Sequence, residues 1–289
     1  MKISTEIGSI RKHVGYEKAI ELCAKAGFDC YDVTMSDIVG YDWANRVARP
    51  SDSPFAKPDY LQYARQLKKI ADDNGIPCNQ SHAGFPVSCP EIRDSLKRSI
   101  EITAELGGKI CVIHPDNDKN GAQNAEMYIE LLPFAKECGV KIATENMWNW
   151  NYEEDHAAPA ACSDPKSFVE HIQAVNDPYL IACLDLGHAE MEGLNTTAVE
   201  MIYALGDSLQ ALHIHDIDKH DDNHQIPFSL NMEFEPIVKA LKAIGYQGEF
   251  TLEACSYLND FTADNVFDGV KNLAIAARKL ANWFDDPNF

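Results

Sequence analysis

Cys183-Leu184-Asp185-Leu186-Gly187-His188 closes an apolar run that begins at Tyr179. A short apolar run that ends in an acid is typical of a buried strand in a parallel sheet. Asp185 and His188 stand three residues apart across Gly187, so a bend at the glycine would turn both side chains towards one site. The stretch therefore predicts a buried strand that carries a carboxylate and an imidazole at its carboxyl end.

Short strand-like runs such as this one alternate with amphipathic helical runs eight times along the chain. Eight such units without an obvious linker predict an α/β fold, a (β/α)8 TIM barrel that forms a single domain over residues 1–289. An open doubly wound sheet is the alternative, but no G-x-G-x-x-G or P-loop follows any predicted strand. The predicted strands are residues 2–7, 28–35, 76–82, 109–114, 140–145, 179–185, 209–215 and 249–253. The predicted helices are residues 16–26, 59–73, 91–106, 122–138, 165–175, 196–205, 234–244 and 266–283, and residues 36–57 and 146–164 are predicted as long loops.

The charge of the chain argues against two classes of partner. Its 25 basic and 45 acidic residues give a net charge of −20. Proteins bind duplex DNA by neutralising phosphates with Lys and Arg, and anionic membranes attract basic segments. We therefore expect neither a nucleic acid nor a membrane as a partner.

Cysteine usage and the N-terminus bear on the compartment. The nine cysteines form no C-x-x-C pair, and several, such as Cys23, Cys111 and Cys183, lie inside apolar runs. This pattern favours free thiols in a reducing compartment. The first residues, MKISTEIGSIRKH, contain no apolar signal segment, and no run reaches the ~18 apolar residues of a membrane span. We expect a cytoplasmic protein.

Polar side chains stand at the carboxyl ends of six consecutive predicted strands, where TIM barrels place their chemistry. A single histidine at a strand end is more often structural than a ligand, but six independent coincidences are far less credible. Oxygen and nitrogen ligands without a thiolate suit Mn²⁺, Mg²⁺, Co²⁺ or Zn²⁺. Acids on strands five, six and eight, with a histidine on strand seven, would surround a single ion. The residues at these ends are His82, His114, Glu145, Asp185, His188, His213, His215 and Glu253, with Asp216, Asp222 and His224 shortly after strand seven.

The motifs at these strand ends resemble those of a known family. They are HAG at 82–84, IHP at 113–115, TEN at 144–146, LDLGH at 184–188, LHIHD at 212–216, DNH at 222–224 and GYQGEFTLE at 245–253. Together they resemble the sugar phosphate isomerase/epimerase family of xylose isomerase-like barrels. The resemblance covers almost the whole chain and is most specific from Leu212 to Glu253.

The resemblance implies a metal-dependent isomerase or epimerase that acts on a ketose, or on a related sugar or polyol, through an enediolate. One divalent ion, Mn²⁺ by first preference, would be held by Glu145, Asp185, His213 and Glu253, and the two glutamates would also act as the acid/base pair. His188 would contact the substrate. The further substrate-binding candidates are His82, His114, His215, His224, Lys219 and Trp148.

Two other functions remain open from the sequence. Endonuclease IV, of the same superfamily, cleaves DNA at abasic sites with three zinc ions, and its additional ligands resemble His82, His114, His188, Asp222 and His224 here. The net charge of −20 weighs against that function. The loop after His82 (residues 83–86) also departs from the tyrosine-leucine wedge of that family. The third class is a metal- or sugar-binding barrel without turnover.

The surroundings of these strand ends shape the expected substrate and assembly. Few basic residues lie near the strand ends, which favours an unphosphorylated sugar or polyol. Trp43, Phe85, Trp148 and Trp150 fall in the long predicted loops and are candidates for the wall of a sugar pocket. Residues 36–57 and the tail at Trp283-Phe284 are candidates for a contact in a homo-oligomer.

Overall fold

Eight runs of buried residues form the parallel strands of a closed barrel, and two hairpins project from it. A computed structural model describes all residues, 1–289. The strands are β1 (Ile3–Thr5), β2 (Tyr31–Thr34), β3 (Gly40–Asp42), β4 (Val47–Arg49), β5 (Cys78–His82), β6 (Ile110–Val112), β7 (Lys141–Glu145), β8 (Trp148–Asn151), β9 (His156–Pro159), β10 (Leu180–Asp185), β11 (Leu209–His213) and β12 (Phe250–Leu252).

The order of the strands closes the barrel. Six parallel strands pair in the order β11-β10-β7-β6-β5-β2, and β1 pairs with β12. Single parallel bridges, Glu6 with Asp32 and Ile214 with Leu252, join the two groups. The predicted (β/α)8 barrel is confirmed, and the open sheet is not formed.

Ten α-helices surround the strands and cover their outer faces. They are α1 (Gly8–Val14), α2 (Tyr16–Ala26), α3 (Tyr60–Asn74), α4 (Pro90–Glu105), α5 (Gly121–Cys138), α6 (Pro165–Val175), α7 (Leu186–Ala189), α8 (Ala198–Leu205), α9 (Phe234–Ala243) and α10 (Val266–Asp285). Asp164 caps α6, as its side chain accepts a hydrogen bond from the backbone of Ser167, and Pro165 begins the helix. No helix combines the length and apolar composition that a membrane crossing requires.

The interior of the barrel changes from apolar to polar towards the carboxyl ends. Small apolar side chains pack inside the barrel, among them Ala143, Cys183 and Ala211. Since side chains alternate along a strand, the next inward-facing positions on these strands are Glu145, Asp185 and His213. The packed floor thus sets the height at which the polar groups meet. All nine cysteines are free, and seven of them are buried.

The structure differs from the predictions mainly in the connections. Both predicted long loops contain antiparallel hairpins, β3–β4 and β8–β9. Helices α1 and α7 were not predicted, because seven and four residues are too short to show a helical period. Several strands also end earlier than predicted, so that His114, His215 and Glu253 follow their strands instead of ending them.

Candidate metal centre and active site

A cavity of about 780 Å³ opens at the carboxyl ends of the strands. Its polar lining comes from several strand ends and from the loop after β11. Its aromatic lining comes from both hairpins and from the loop after β5. The lining contains no Lys or Arg; its charged, imidazole and large aromatic members are His82, His114, Glu145, His188, Asp222, His224, Glu253, Tyr41, Trp43, Phe85 and Trp148.

Four side chains meet at the floor of this cavity, and we call them the barrel cluster: Glu145, Asp185, His213 and Glu253. One ligand atom from each lies within 4.8 Å of the ligand atoms of the other three. His213 Nδ1 is 2.7 Å from Glu145 Oε1 and 3.4 Å from Glu253 Oε2. Glu145, Asp185 and His213 are completely buried, and Glu253 nearly so. Of the four, only the two glutamates line the cavity.

The register of the parallel strands brings the barrel cluster together. Asp185 lies directly beside His213 in the β10–β11 pair, and Glu145 lies beside Cys183 in the β7–β10 pair. Asn146 fixes the end of β10, because its side chain accepts from the backbone N–H of Asp185 at 2.8 Å and donates to the Asp185 carbonyl at 2.9 Å. The positions of these carboxylates are therefore set by the backbone.

Two histidines at the rim connect the glutamates of the barrel cluster. His82 Nδ1 lies 3.0 Å from Glu253 Oε1, and His114 Nε2 lies 2.8 Å from Glu145 Oε2. The Nε2 atoms of the two rings are 2.6 Å apart. His82, His114 and Glu145 thus form a second group whose ligand atoms lie within 4.8 Å of one another.

A further group, the loop cluster, consists of His188, His215, Asp222 and His224, whose ligand atoms also lie within 4.8 Å of one another. Asp222 Oδ2 is 3.2 Å from His188 Nε2 and 3.1 Å from His224 Nε2. The loop cluster also contacts the barrel cluster: His215 Nε2 lies 3.0 Å from Asp185 Oδ1, and His224 Nδ1 lies 2.7 Å from the backbone carbonyl oxygen of Glu253. The loop that supplies Asp222 and His224 is held by the buried carboxylate of Asp216, which accepts backbone hydrogen bonds from Ser229, Leu230 and Met232.

Gly187 allows the two clusters to approach each other. Asp185 caps α7 by accepting a hydrogen bond from the backbone N–H of His188 at 2.8 Å, which confirms the bend after β10. A Cβ atom at position 187 would lie 2.1 Å from His215 Cε1. Real contacts are never that short, so only glycine lets the ring of His215 pass over α7 and reach Asp185.

Neighbouring imidazoles partly balance the negative charge of the barrel cluster. Burial opposes ionisation of Glu145, but His213 and His114 outweigh it and hold the pKa of Glu145 well below its usual value. Burial is likewise outweighed for Glu253, whose pKa is lowered by His213 and His82. The pKa of His213 is raised well above its usual value despite burial, because Cys183, Glu145 and Glu253 surround it. Protons on imidazole therefore occupy the place that a bound cation would take.

The loop cluster behaves in the same way. Burial opposes the charge on His188, but Asp185 and Asp222 outweigh it and raise the pKa of His188 to about 10. The pKa of Asp222 is held well below its usual value, since His188 and His224 outweigh its burial. His114, which belongs to neither cluster, shows the opposite shift: burial lowers its pKa although Glu145 lies beside it.

The donor set of the barrel cluster fits a divalent metal ion. Three carboxylates and one imidazole converge where neither Lys nor Arg lines the cavity. Such oxygen-rich sites with one nitrogen suit Mn²⁺, Mg²⁺, Co²⁺ or Zn²⁺. The loop cluster offers three imidazoles and one carboxylate, and Asp222 Oδ1 is buried there without a hydrogen-bond partner. Both clusters could accept a cation, and the barrel cluster has the larger negative charge to neutralise.

Most of the predicted site residues meet around the cavity, but besides Asp185 and His213 in its floor, two others do not line it. His215 is completely buried beneath it. Lys219 points elsewhere, with its Nζ 3.5 Å from Glu190 Oε2. Trp148 lines the cavity, and its ring centroid is 6.4 Å from that of His188.

Asp32, Gln80 and Asn146 contact the barrel cluster or its strands and were not predicted. Asp32 Oδ2 is 3.5 Å from His213 Nε2, and Gln80 Nε2 donates to Asp32 Oδ2 at 3.0 Å. An acid inside the buried run YDVT was the one available signal for Asp32. Nothing in the local sequence distinguishes Gln80 or Asn146 from ordinary polar residues near strand ends.

Aromatic side chains from three separate connections line the cavity. The ring centroid of Trp43 lies 4.9 Å from that of Tyr41 and 5.8 Å from that of Phe85. Trp148 also lines the cavity and packs on Trp150, with centroids 6.1 Å apart. Flat apolar walls over a polar floor are typical of a pocket for a small polar molecule with C–H faces.

Comparison with known proteins places this architecture in context. The family model described as xylose isomerase-like TIM barrel matches residues 20–282. An uncharacterized protein of Methanocaldococcus jannaschii is 27% identical over 246 residues, which cover 78% of this chain and 76% of that protein. Among solved structures, the IolI protein with a bound zinc atom has a TM-score of 0.73 at 18% identity and covers 99% of this chain and 100% of its own. A D-tagatose 3-epimerase-like protein has a TM-score of 0.68 at 21% identity and covers 97% of this chain and 100% of its own.

Proposed function

The chain belongs to the xylose isomerase-like TIM barrel family, and we propose that it is a metal-dependent isomerase or epimerase of an unphosphorylated ketose or a related polyol. The proposal depends on one observation above all. Glu145 and Glu253 both face the cavity, and both belong to a cluster whose ligand atoms lie within 4.8 Å of one another. The proteins of this fold include some named as ketose 3-epimerases, which supports the same chemistry here.

The barrel cluster supplies the groups that the reaction needs. A divalent ion held by Glu145, Asp185, His213 and Glu253 would act as a Lewis acid towards the carbonyl and the neighbouring hydroxyl of the sugar. One glutamate takes the proton from the carbon beside the carbonyl, and the sugar becomes an enediolate. If the other glutamate returns a proton to that carbon on the opposite face, the product is an epimer. If the proton is moved to the neighbouring carbon, the product is an aldose–ketose isomer.

The protonation of the site agrees with these roles. Both glutamates have lowered pKa values and are therefore ionised at neutral pH, as a general base must be. His82 and His114 touch one glutamate each and stand at the rim, where they can bind sugar hydroxyls. His188 and His224 border the same cavity from the loop cluster and are the further candidates for hydroxyl binding.

The lining of the cavity indicates the class of substrate. A phosphate group is usually bound by Arg, Lys or backbone N–H groups at a helix terminus. The cavity has no Lys or Arg, and Lys219 is paired with Glu190 outside it. A neutral sugar does not need a cationic side chain, and its C–H faces can pack on Trp43, Phe85 and Trp148.

The test is a panel of free ketoses in deuterated water, assayed by NMR with Mn²⁺, Mg²⁺, Co²⁺ or Zn²⁺ in excess. We expect deuterium to enter at the carbon beside the carbonyl as the epimer or isomer forms. Glu145→Gln and Glu253→Gln should each lower that rate by ~10²–10⁴-fold, the usual contribution of general acid–base catalysis. Glu126→Gln, on the exposed side of α5, is the matched control. Near-normal rates in both cavity variants would refute the mechanism.

One observation favours a second candidate, an abasic-site nuclease with three zinc ions. Besides the barrel cluster, the structure contains the loop cluster and the group formed by His82, His114 and Glu145. The net charge of −20 and the lack of Lys and Arg around the cavity oppose DNA binding. Three tightly bound zinc ions per chain, together with nicking of DNA that contains an abasic site, would establish this function instead. A chain that binds ketoses but exchanges no deuterium with any metal would be a binding protein.

A further inference from the structure

Asp32 is a buried carboxylate with very few partners. It lies in the middle of β2 and is completely inaccessible to solvent. Gln80, its neighbour in the β2–β5 register, donates to Oδ2 at 3.0 Å, while Oδ1 has no hydrogen-bond partner. Its one ionisable basic neighbour within 4.0 Å is His213, at 3.5 Å. A buried carboxylate with so little compensation is costly, so its presence inside the barrel requires an explanation.

His213 connects Asp32 to the barrel cluster. Its Nδ1 faces upwards to Glu145 and Glu253, at 2.7 Å and 3.4 Å. Its Nε2 faces downwards to Asp32 and is buried without a hydrogen-bond partner. His213 Nε2 therefore lacks a partner and lies 3.5 Å from Asp32 Oδ2, slightly too far for a hydrogen bond, while the other oxygen of the same carboxylate, Oδ1, has no partner either.

The chemistry of imidazole explains this arrangement. A neutral ring that gives the lone pair of one nitrogen to a cation carries its hydrogen on the other nitrogen. That N–H needs an acceptor, and a carboxylate in this position fixes the tautomer and the orientation of the ring and makes it a stronger ligand. Asp32 Oδ2, 3.5 Å from Nε2, can supply this acceptor.

We propose that Asp32 is a positioning residue for His213: it accepts the Nε2–H hydrogen bond when Nδ1 serves as a metal ligand, and Gln80 holds Asp32 in place for this task. The inference rests on the proposed metal site at the barrel cluster. It assigns no contact with substrate to Asp32, which does not line the cavity. The carboxylate also adds one buried negative charge beneath the site, which favours a divalent cation over an empty site.

The test uses the full chain with Asp32→Asn, which keeps the shape of the side chain and removes its charge. The first measurement is the affinity for Zn²⁺ by calorimetry with a competing chelator. We expect a loss of ~10–100-fold, the usual effect of removing a group that orients a ligand. The second is NMR of the zinc-loaded protein labelled with ¹⁵N in histidine. Wild type should show His213 with zinc at Nδ1 and a strongly deshielded proton at Nε2, and this proton signal should move upfield or vanish in Asp32→Asn.

Control variants separate this inference from the proposed function. Glu6→Gln removes another buried carboxylate on a neighbouring strand, one that accepts from Ser9 and Thr34 and not from a histidine, so zinc affinity should stay at the wild-type value. His213→Gln should abolish tight binding. If His213→Gln keeps wild-type affinity, the metal site itself is wrong. If it loses the metal while Asp32→Asn matches wild type in affinity and in the Nε2 proton signal, the role of Asp32 is overturned and the metal site stands.

A second variant covers the case in which Asp32→Asn does not fold. Gln80→Met removes the donor that holds Asp32 and nearly keeps the volume of the side chain. We expect a weaker loss of zinc affinity and a shifted Nε2 proton signal, because Asp32 would lose its fixed orientation. A wild-type affinity and signal in Gln80→Met would then overturn the proposal.

Discussion

The barrel cluster and the loop cluster contain the same kinds of side chain but are built differently. Glu145, Asp185 and His213 end three neighbouring strands, so the backbone hydrogen bonds of the sheet fix their spacing. Asp222 and His224 lie in the irregular connection after β11, and His224 has a left-handed backbone with φ of 46°. Three carboxylates meet in the barrel cluster, but a single carboxylate faces three imidazoles in the loop cluster.

This difference bears on what each cluster can bind. The excess of carboxylates in the barrel cluster gives a metal ion three negative partners before any proton is released. In the loop cluster, protons on the imidazoles already balance Asp222, which raises the pKa of His188 and of His224. A metal must displace protons from three imidazoles in the loop cluster but from one in the barrel cluster, so we expect the first ion to bind at the barrel cluster. Occupation of the loop cluster as well would indicate the chemistry of a nuclease.

The largest effect on metal affinity should come from removing one carboxylate from each cluster in turn. Asp185→Asn should lower the affinity for the first metal ion by at least ~100-fold, since changes outside the ligands themselves already cost ~10–100-fold. Asp222→Asn should leave that affinity and the metal content per chain unchanged. Elemental analysis after dialysis and calorimetry of the metal-free proteins measure both quantities.

Two other outcomes for the metal content would contradict this expectation. If wild type retains more than one ion and Asp222→Asn retains one fewer, then the loop cluster is a metal site in its own right. If both variants keep the wild-type content, neither carboxylate is a ligand. A ketose assay of Asp222→Asn completes the test: with one metal ion at the barrel cluster, kcat should change little, whereas KM should rise, because Asp222 contacts His188 and His224 at the cavity.

The two clusters also show how far the sequence predicts a site. A site of three acids and a histidine at these strand ends was predicted because parallel strands bring their carboxyl ends together, whereas the choice of His213 over His215 came from the family resemblance. Asp32 was not predicted as part of it, since its partner lies across the barrel and its own strand does not show which side chain it faces. The orientation of Lys219 is equally invisible, because it depends on the path of an irregular loop and on the position of Glu190.

The fold, like the site, was predicted where a pattern is local in the sequence and missed elsewhere. The predicted barrel strands are present because each is a short, mainly buried run. The predicted helices are present because each is a longer periodic run that buries one face. The hairpins β3–β4 and β8–β9 were missed, because strands of three or four residues with partly exposed side chains have no clear period of two. Three tryptophans of these hairpins, Trp43, Trp148 and Trp150, were nevertheless predicted as candidates for the pocket wall. Trp43 and Trp148 line the cavity and Trp150 does not, while Tyr41 lines it without having been predicted.

A smaller loss of metal affinity, together with a loss of stability, should follow when a larger residue at Gly187 breaks the contact between His215 and Asp185. In Gly187→Ala the new methyl group would collide with His215, which would have to leave Asp185. We expect a loss of ~1–3 kcal/mol in the free energy of unfolding, as for other overpacked sites. Metal affinity should fall less than in Asp185→Asn, because all four barrel ligands remain. Denaturant unfolding and calorimetry provide the measurements.

Gly84→Ala is the control for that variant. Gly84 lies beside the same cavity, but a Cβ atom there would come no closer than 3.5 Å to any other atom. Equal stability and equal metal affinity of the two alanine variants would show that the close approach of His215 to α7 is not required. The contact between the clusters would then have no energetic importance.

The last prediction concerns pH and the protons of the loop cluster. The pKa of His188 is about 10 in the folded, metal-free chain and ~6.5 in an unfolded chain. Because the folded value is the higher one, charged His188 stabilises the fold fully below about pH 6.5. This contribution is lost as the pH rises towards about 10. With a chelator present, the thermal midpoint of wild type should exceed that of His188→Gln near neutral pH, and the difference should shrink in alkaline solution.

The same thermal midpoints, measured with metal added, test whether the ion binds at the barrel cluster or at the loop cluster. If one ion occupies the barrel cluster and the loop cluster keeps its protons, the difference between wild type and His188→Gln should still decrease with pH after one equivalent of metal is added. If the ion displaces the proton of His188, the stabilisation should instead grow with pH, because a neutral imidazole is the form that binds metal. The sign of this slope therefore shows whether the loop cluster holds protons or a metal in the loaded protein.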